Sequence, residues 1–217
     1  MKSSGTIYVV DNEFKTTEAI SLLARAMHLE CKTYTSGLKL LEEIDMEQPG
    51  CLISEVRIPD IGGLQLQRRL GEMGATTPVI FLTAHATVPM VVRAMKAGAF
   101  HVFTKPLEEQ SLWEAVQDAI ASDQEAFRKR RERRILERRL ADVSPFEREV
   151  LDLVLRGTPN REIAEKQNVS VRTVELRRSR LMEKLGAKTL ADLVRIGLVA
   201  KGVNGHRISL PETVSVS

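Results

Sequence analysis

Four short stretches of this chain each place a polar or charged group at the end of an apolar run. Asp11-Asn12 follows Ile7-Tyr8-Val9-Val10, and Glu55 closes Cys51-Leu52-Ile53-Ser54. Thr83 ends Val79-Ile80-Phe81-Leu82, and Lys105-Pro106 follows Val102-Phe103-Thr104. Carboxylates and an amide are oxygen donors of the kind that magnesium takes. A carboxylate facing an ammonium makes a salt bridge, and Glu55 with Lys105 is the local contact expected, with Arg57 nearby. A second set lies far along the chain. Arg172, Arg177, Arg178 and Arg180 fall within nine residues, interleaved with Thr173, Glu175, Leu176 and Ser179. Cations beside such readers on one helix suit the phosphates and base edges of a nucleic acid.

For the first set to meet, its apolar runs must be parallel strands of one sheet. Strands are predicted at about 6–10, 31–34, 51–55, 79–82 and 101–104, and helices at about 15–27, 37–46, 63–73, 88–97 and 109–121. Five strands alternating with five helices predict an α/β doubly wound parallel sheet, (βα)5, with helices on both faces. In such a sheet ligands sit outside the carboxyl ends of the strands. All four signals lie there, so one pocket is expected. Residues 122–141 are rich in Arg and Glu, with Phe127, Ile135, Leu136 and Leu140 too sparse for a buried face. They are expected to form an exposed, charged linker compatible with helix.

The second set needs an all-helical frame. Ser144-Pro145-Phe146-Glu147 is a capping box with proline at the first helical position. Asn160 is expected to cap a short helix, and Ser170 the longer one that stops at Gly186. Thr189 is expected to cap a last helix. A short helix, the turn Gln167-Asn168-Val169 and a longer helix make a helix-turn-helix. Val171, Val174, Leu181 and Leu185 are expected to pack inward, leaving Arg172, Glu175, Leu176 and Ser179 outward. Glu175 suits a cytosine amino group and Leu176 a thymine methyl, with Arg172, Arg178 and Arg180 on the backbone. Asn160 and Lys188 suit caps or phosphate contacts.

Charge separates the same two parts. Residues 1–120 hold 11 Lys and Arg against 15 Asp and Glu, residues 121–141 hold 8 against 4, and residues 142–217 hold 13 against 10. An acidic front and a basic back fit a polyanion partner for the second part. No apolar run approaches a membrane span, and Met1–Gly5 lacks a signal-peptide core. Cys31 and Cys51 stand alone, as in a reducing cytoplasm. No nucleophile–base pair or metal-ligand cluster lies outside the strand-end frame, which argues against an independent enzyme.

The strand-end frame resembles the receiver domain of bacterial response regulators. Arg57-Ile58-Pro59-Asp60, Val88-Pro89-Met90 and Ala94-Met95-Lys96-Ala97-Gly98-Ala99 are similar to its FixJ-like subgroup. Ser144–Leu151, Asn160–Ala164, Ser170–Glu175 and Met182–Gly186 resemble the helical DNA-binding domain of the NarL/LuxR class. The resemblance implies a receiver at 1–121, the linker at 122–141, the helix-turn-helix domain at 142–203 and a tail at 204–217. It makes Glu55 the counterpart of the phosphoryl-accepting aspartate, Asp11 and Asn12 the counterparts of two metal-binding acids, and Val102 the counterpart of an aromatic switch residue. Three of these positions depart from the family pattern: Asn12, Glu55 and Val102. Magnesium at Asp11, Asn12 and Glu55 is therefore expected to bind weakly or not at all, with no cofactor required. Double-stranded DNA bound by a homodimer at paired half-sites is implied, with Leu190, Leu193, Val194 and Gly197 as the usual dimer contact. No residue identifies a cognate histidine kinase. The expected role is a bacterial cytoplasmic transcriptional regulator working without aspartyl phosphorylation. Two rivals stay open: a conventional phosphorylated switch using Glu55 or another acceptor, and a receiver-based module that sequesters a kinase or regulator.

Overall fold

The computed structural model describes residues 5–106 and 108–200. The expected tail at 204–217, and the end of the second domain at 203, lie outside them. The chain divides into two compact units, Met1–Lys129 and Arg130–Ser217.

In the first unit, β1 (Thr6–Val10), β2 (Glu30–Tyr34), β3 (Gly50–Ser54), β4 (Val79–Thr83) and β5 (His101–Thr104) alternate with α1 (Phe14–Ala26), α2 (Gly37–Glu43), α3 (Gly63–Glu72), α4 (Val88–Lys96) and the first part of α5 (Glu109–Ala141), whose residues from Arg130 on belong to the second unit. The sheet is parallel, in the order β2-β1-β3-β4-β5. β1, β3 and β4 are buried along their length, as strands covered on both faces must be. Side chains alternate between the faces. Tyr8, Val10, Leu52 and Phe81 join one core with Leu40, Leu66, Met90 and Ala94. Ile7, Val9, Ile53, Ile80 and Leu82 join the other with Ile20, Ala24, Leu112, Val116 and Ile120. The strand order reverses between β1 and β3. Such a switch point opens a crevice beyond the strand ends, where Asp11 and Glu55 begin their loops.

Residues 122–141 are helical, as the linker expectation allowed, but they are not exposed throughout. α5 is one continuous helix, and two of its side chains in that stretch are buried. Asp123 accepts from the Gly50 N–H at 2.9 Å and the Thr76 hydroxyl at 2.5 Å, so it anchors the start of β3 and the approach to β4. Leu136 packs into the core of the second unit, and the Arg139 guanidinium donates to the Leu185 carbonyl at 3.1 Å. Apolar spacing does not reveal a buried aspartate, and one leucine gives no period.

The second unit holds α6 (Pro145–Leu155), α7 (Asn160–Lys166), α8 (Val171–Leu185) and α9 (Leu190–Ala200). Ser144 and Glu147 close the capping box on α6. Lys184 donates to Glu147 at 2.7 Å, and this bond, with the Ser144 N–H, holds the Glu147 carboxyl at about 2. Asn168 takes a left-handed φ of 50° in the turn before α8, and Gly186 one of 68° after it. Val150, Val154, Ile163, Val174, Leu181, Leu185, Leu193 and Ile196 form the core. Val171 does not join it. At the first position of α8 it stays 40% exposed, because a first-turn side chain lies over the entering chain rather than over a neighbouring helix.

Candidate functional site

The first unit brings the strand-end residues together. Asp11, Asn12, Glu13, Glu55, Arg57, Ala84, His85 and Lys105 line a cleft of about 440 Å³. Glu55 lies one residue past β3, held in the ladder by its N–H to the Val10 carbonyl at 2.9 Å. Its loop turns tightly because α3 starts at Gly63, where a Cβ would stand 2.5 Å from the Glu55 carbonyl. Asp60 ties the same loop across to α2, accepting from the Ser36 hydroxyl at 2.7 Å and the Leu38 N–H at 2.9 Å.

Both carboxylate oxygens of Glu55 are engaged. Oε1 accepts from its neighbours' N–H groups, Val56 at 2.7 Å and Arg57 at 3.4 Å. Oε2 lies 3.5 Å from the Lys105 ammonium. The expected Glu55–Lys105 pair is present, yet it is the longest of three. Lys105 lies 2.7 Å from Asp11 Oδ2 and 3.0 Å from Glu13 Oε2. Desolvation works to lower the Lys105 pKa, but hydrogen bonds to Asp11 and Glu13, with the Asp11 and Glu55 charges, raise it above the ordinary lysine value. Glu13 is held below the usual carboxylate range by its bond from Lys105, then by the Thr16 hydroxyl. Sequence reasoning missed Glu13. Its signal was adjacency: it stands two residues past Asp11, where the loop swings it back over the strand end.

Thr83 is fully buried and does not line the cleft. Its hydroxyl accepts from the His85 N–H at 3.2 Å. Arg57 and Asn12 are exposed at the rim. Val102 is partly buried against the core around Leu66 and Met90, while Phe103 lies on the opposite face of β5, its ring stacked on His101 at 4.1 Å.

The donors do not assemble a magnesium site. An octahedral ion needs oxygens free to turn inward. Asp11 Oδ1 accepts from the Glu13 N–H at 2.8 Å, its Oδ2 is on Lys105, and both Glu55 oxygens are engaged. Among the described residues, no group of three or more His, Cys, Asp or Glu is arranged to hold a metal ion.

In the second unit, Arg172, Glu175, Leu176, Ser179 and Arg180 are exposed on α8. Leu176 is 53% exposed. Two of the predicted contacts are withdrawn from this surface. The Arg177 guanidinium lies 3.5 Å above the Phe146 ring, and its Nη1 is buried without a partner. Arg178 donates to the Asn160 side chain. Asn160 is therefore not the cap of α7, which is Pro159; it is the first helical residue, and its carbonyl oxygen serves Arg178. The Thr173 N–H and hydroxyl both meet Ser170 in the cap of α8. Lys188 is exposed, its backbone N–H held by Asp192 at 3.2 Å.

The expected dimer contact is divided. Leu193 is fully buried within the unit, and a Cβ on Gly197 would stand 2.7 Å from Leu155. Both belong to the α6–α9 packing. Leu190 is 49% exposed and faces outward, while Val194 is partly buried and packs against the unit's core.

Residues 7–117 match the response regulator receiver domain, and residues 141–197 match the bacterial regulatory proteins of the luxR family. The chain is 35% identical to the response regulator protein TmoT of Ectopseudomonas mendocina over 88% of its own length and 86% of that protein. It is 37% identical to the tetrathionate response regulatory protein TtrR of Salmonella typhimurium, over 88% and 90%. The transcriptional regulatory protein FixJ of Azorhizobium caulinodans is 34% identical, over 92% and 95%. The solved structure of the response regulator StyR superposes with a TM-score of 0.83 at 35% identity, covering 91% of this chain and 98% of that one.

Proposed function

Since the chain belongs to the response regulators, transcriptional regulators that join a receiver to a LuxR-type DNA-binding domain, we propose that it binds DNA as a homodimer without aspartyl phosphorylation. The observation that carries this is Glu55. A phosphoryl acceptor needs a free carboxylate oxygen held in line with the incoming phosphorus. The longer Glu55 side chain instead folds one oxygen onto the Val56 and Arg57 N–H groups and directs the other to Lys105. Magnesium is not required in this account. Control in the bacterial cytoplasm passes to protein level, receiver pairing or a protein partner.

On DNA, α8 enters the major groove, as the second helix of such motifs does. Glu175 accepts from a cytosine amino group and Leu176 packs on a thymine methyl. Arg172, Arg180 and Lys188 meet phosphates. Leu190 and Val194 supply the contact between copies over half-sites about one helical turn apart.

The test is phosphoryl transfer. The wild type, Glu55→Asp and the double variant Asn12→Asp/Glu55→Asp are incubated side by side with a labelled acyl phosphate and magnesium. The account predicts label on the double variant and none on the wild type. Wild-type labelling equal to that of the variants would establish the conventional switch instead.

A further inference from the structure

We propose that the Lys105 ammonium occupies the place of a divalent cation in the cleft, gathering Asp11, Glu13 and Glu55 around itself and so excluding metal ions. The proposal rests on the pocket geometry and stands apart from whether Glu55 accepts phosphate.

Three carboxylates around one point repel one another unless a cation lies between them. In this cleft that cation is part of the chain. Nζ is 2.7 Å from Asp11, 3.0 Å from Glu13 and 3.5 Å from Glu55. The Lys105 side chain is only 16% exposed, Asp11 3% and Glu55 9%, so water screens the cluster weakly; Glu13, at 56%, closes it from the solvent side. An ammonium donates to or pairs with such oxygens at 2.7–3.5 Å, farther than the roughly 2.0–2.1 Å of magnesium to oxygen. The carboxylates are therefore spread around a larger centre than a metal would allow. The Asp11 and Glu55 oxygens not on Lys105 are fixed as well, and the Glu13 oxygen on Lys105 takes a second bond. The Glu13 N–H holds Asp11 Oδ1, the Val56 and Arg57 N–H groups hold Glu55 Oε1, and the Thr16 hydroxyl adds a bond to Glu13 Oε2. An entering dication would have to break these bonds and sit against the ammonium, a like charge.

The same geometry predicts what happens when the ammonium is removed. Lys105→Gln leaves Asp11, Glu13 and Glu55 facing one another with no cation, and they then recruit one from solution. The probe is the metal alone, added to the full chain. Thermal unfolding is followed with and without millimolar magnesium, against sodium chloride at matched ionic strength. The wild type is expected to show no magnesium-specific shift. Lys105→Gln is expected to melt lower and to regain about 2–4 °C with magnesium, as for ligand binding worth about 1 kcal/mol. Glu13→Gln, which keeps Lys105 and removes the outermost carboxylate, is expected to stay insensitive to magnesium.

A second readout is independent of how well the variant folds. Substoichiometric manganese should leave the amide resonances of residues 11–13 and 55–57 sharp in the wild type. Magnesium stabilisation of the wild type, or manganese broadening at those residues, would overturn the proposal. So would a folded Lys105→Gln that gains nothing from magnesium. A wild type that excludes metal yet takes label from an acyl phosphate would sink the proposed function and leave this inference standing.

Discussion

At residue scale, one added methylene changes what a strand-end carboxylate can do. Glu55 reaches both its own loop backbone and Lys105, so its oxygens are committed before any ligand arrives. On α8, Glu175 is an acceptor among cations, and Glu175→Gln is expected to relax the preference for cytosine at one position, costing about 1–3 kcal/mol of discrimination. Selection of bound sequences from a random pool checks this; an unchanged motif would remove Glu175 from base reading. Glu147 gives a pH prediction. Its carboxyl is depressed from an ordinary 4.5 to about 2 by Lys184 and the Ser144 N–H. A depressed carboxyl stabilises the folded state above its unfolded pKa, and that contribution is lost as pH falls through the folded one. The second unit should thus lose stability between pH 4.5 and about 2. Urea unfolding across that range should show a flatter decline for Glu147→Gln, which starts from a lower stability at neutral pH.

At the scale of elements, α5 and α8 carry the main corrections. Asp123→Ala strips the Gly50 N–H and Thr76 hydroxyl of their acceptor. It is expected to cost about 1–3 kcal/mol, with Asp123→Asn recovering part, measured by denaturant unfolding. Gly186→Ala is expected to destabilise by about 1 kcal/mol or more, since the left-handed φ of 68° resists a side chain and Arg139 fills the space. The sheet was legible because four of its five strands, β1, β3, β4 and β5, are apolar runs that lead to a polar residue, and the helix-turn-helix domain because Ser144 and Ser170 cap where serine should. The long-range polar contacts were not. Asp123 to Gly50, Arg178 to Asn160 and Lys105 to Glu13 join positions whose spacing carries no period. Leu193 and Gly197, expected at a dimer contact, pack within their own unit; an apolar helix face looks the same whether it meets its own unit or another copy.

Across the whole molecule, the charge asymmetry separates the tasks. The net basic second unit shows Arg172, Arg180 and Lys188 at its surface, so its DNA affinity should fall steeply with salt, by counterion release. The first unit offers a cleft whose three carboxylates already share an internal cation, Lys105. Under the function proposed above, such a regulator would bind DNA without a phosphodonor. The most direct test is to incubate the untreated full chain with fragmented genomic DNA, with and without an acyl phosphate and magnesium, and to sequence what it retains. The account predicts a paired motif with half-sites about one helical turn apart, enriched equally in both samples. Enrichment only after the phosphodonor would contradict it.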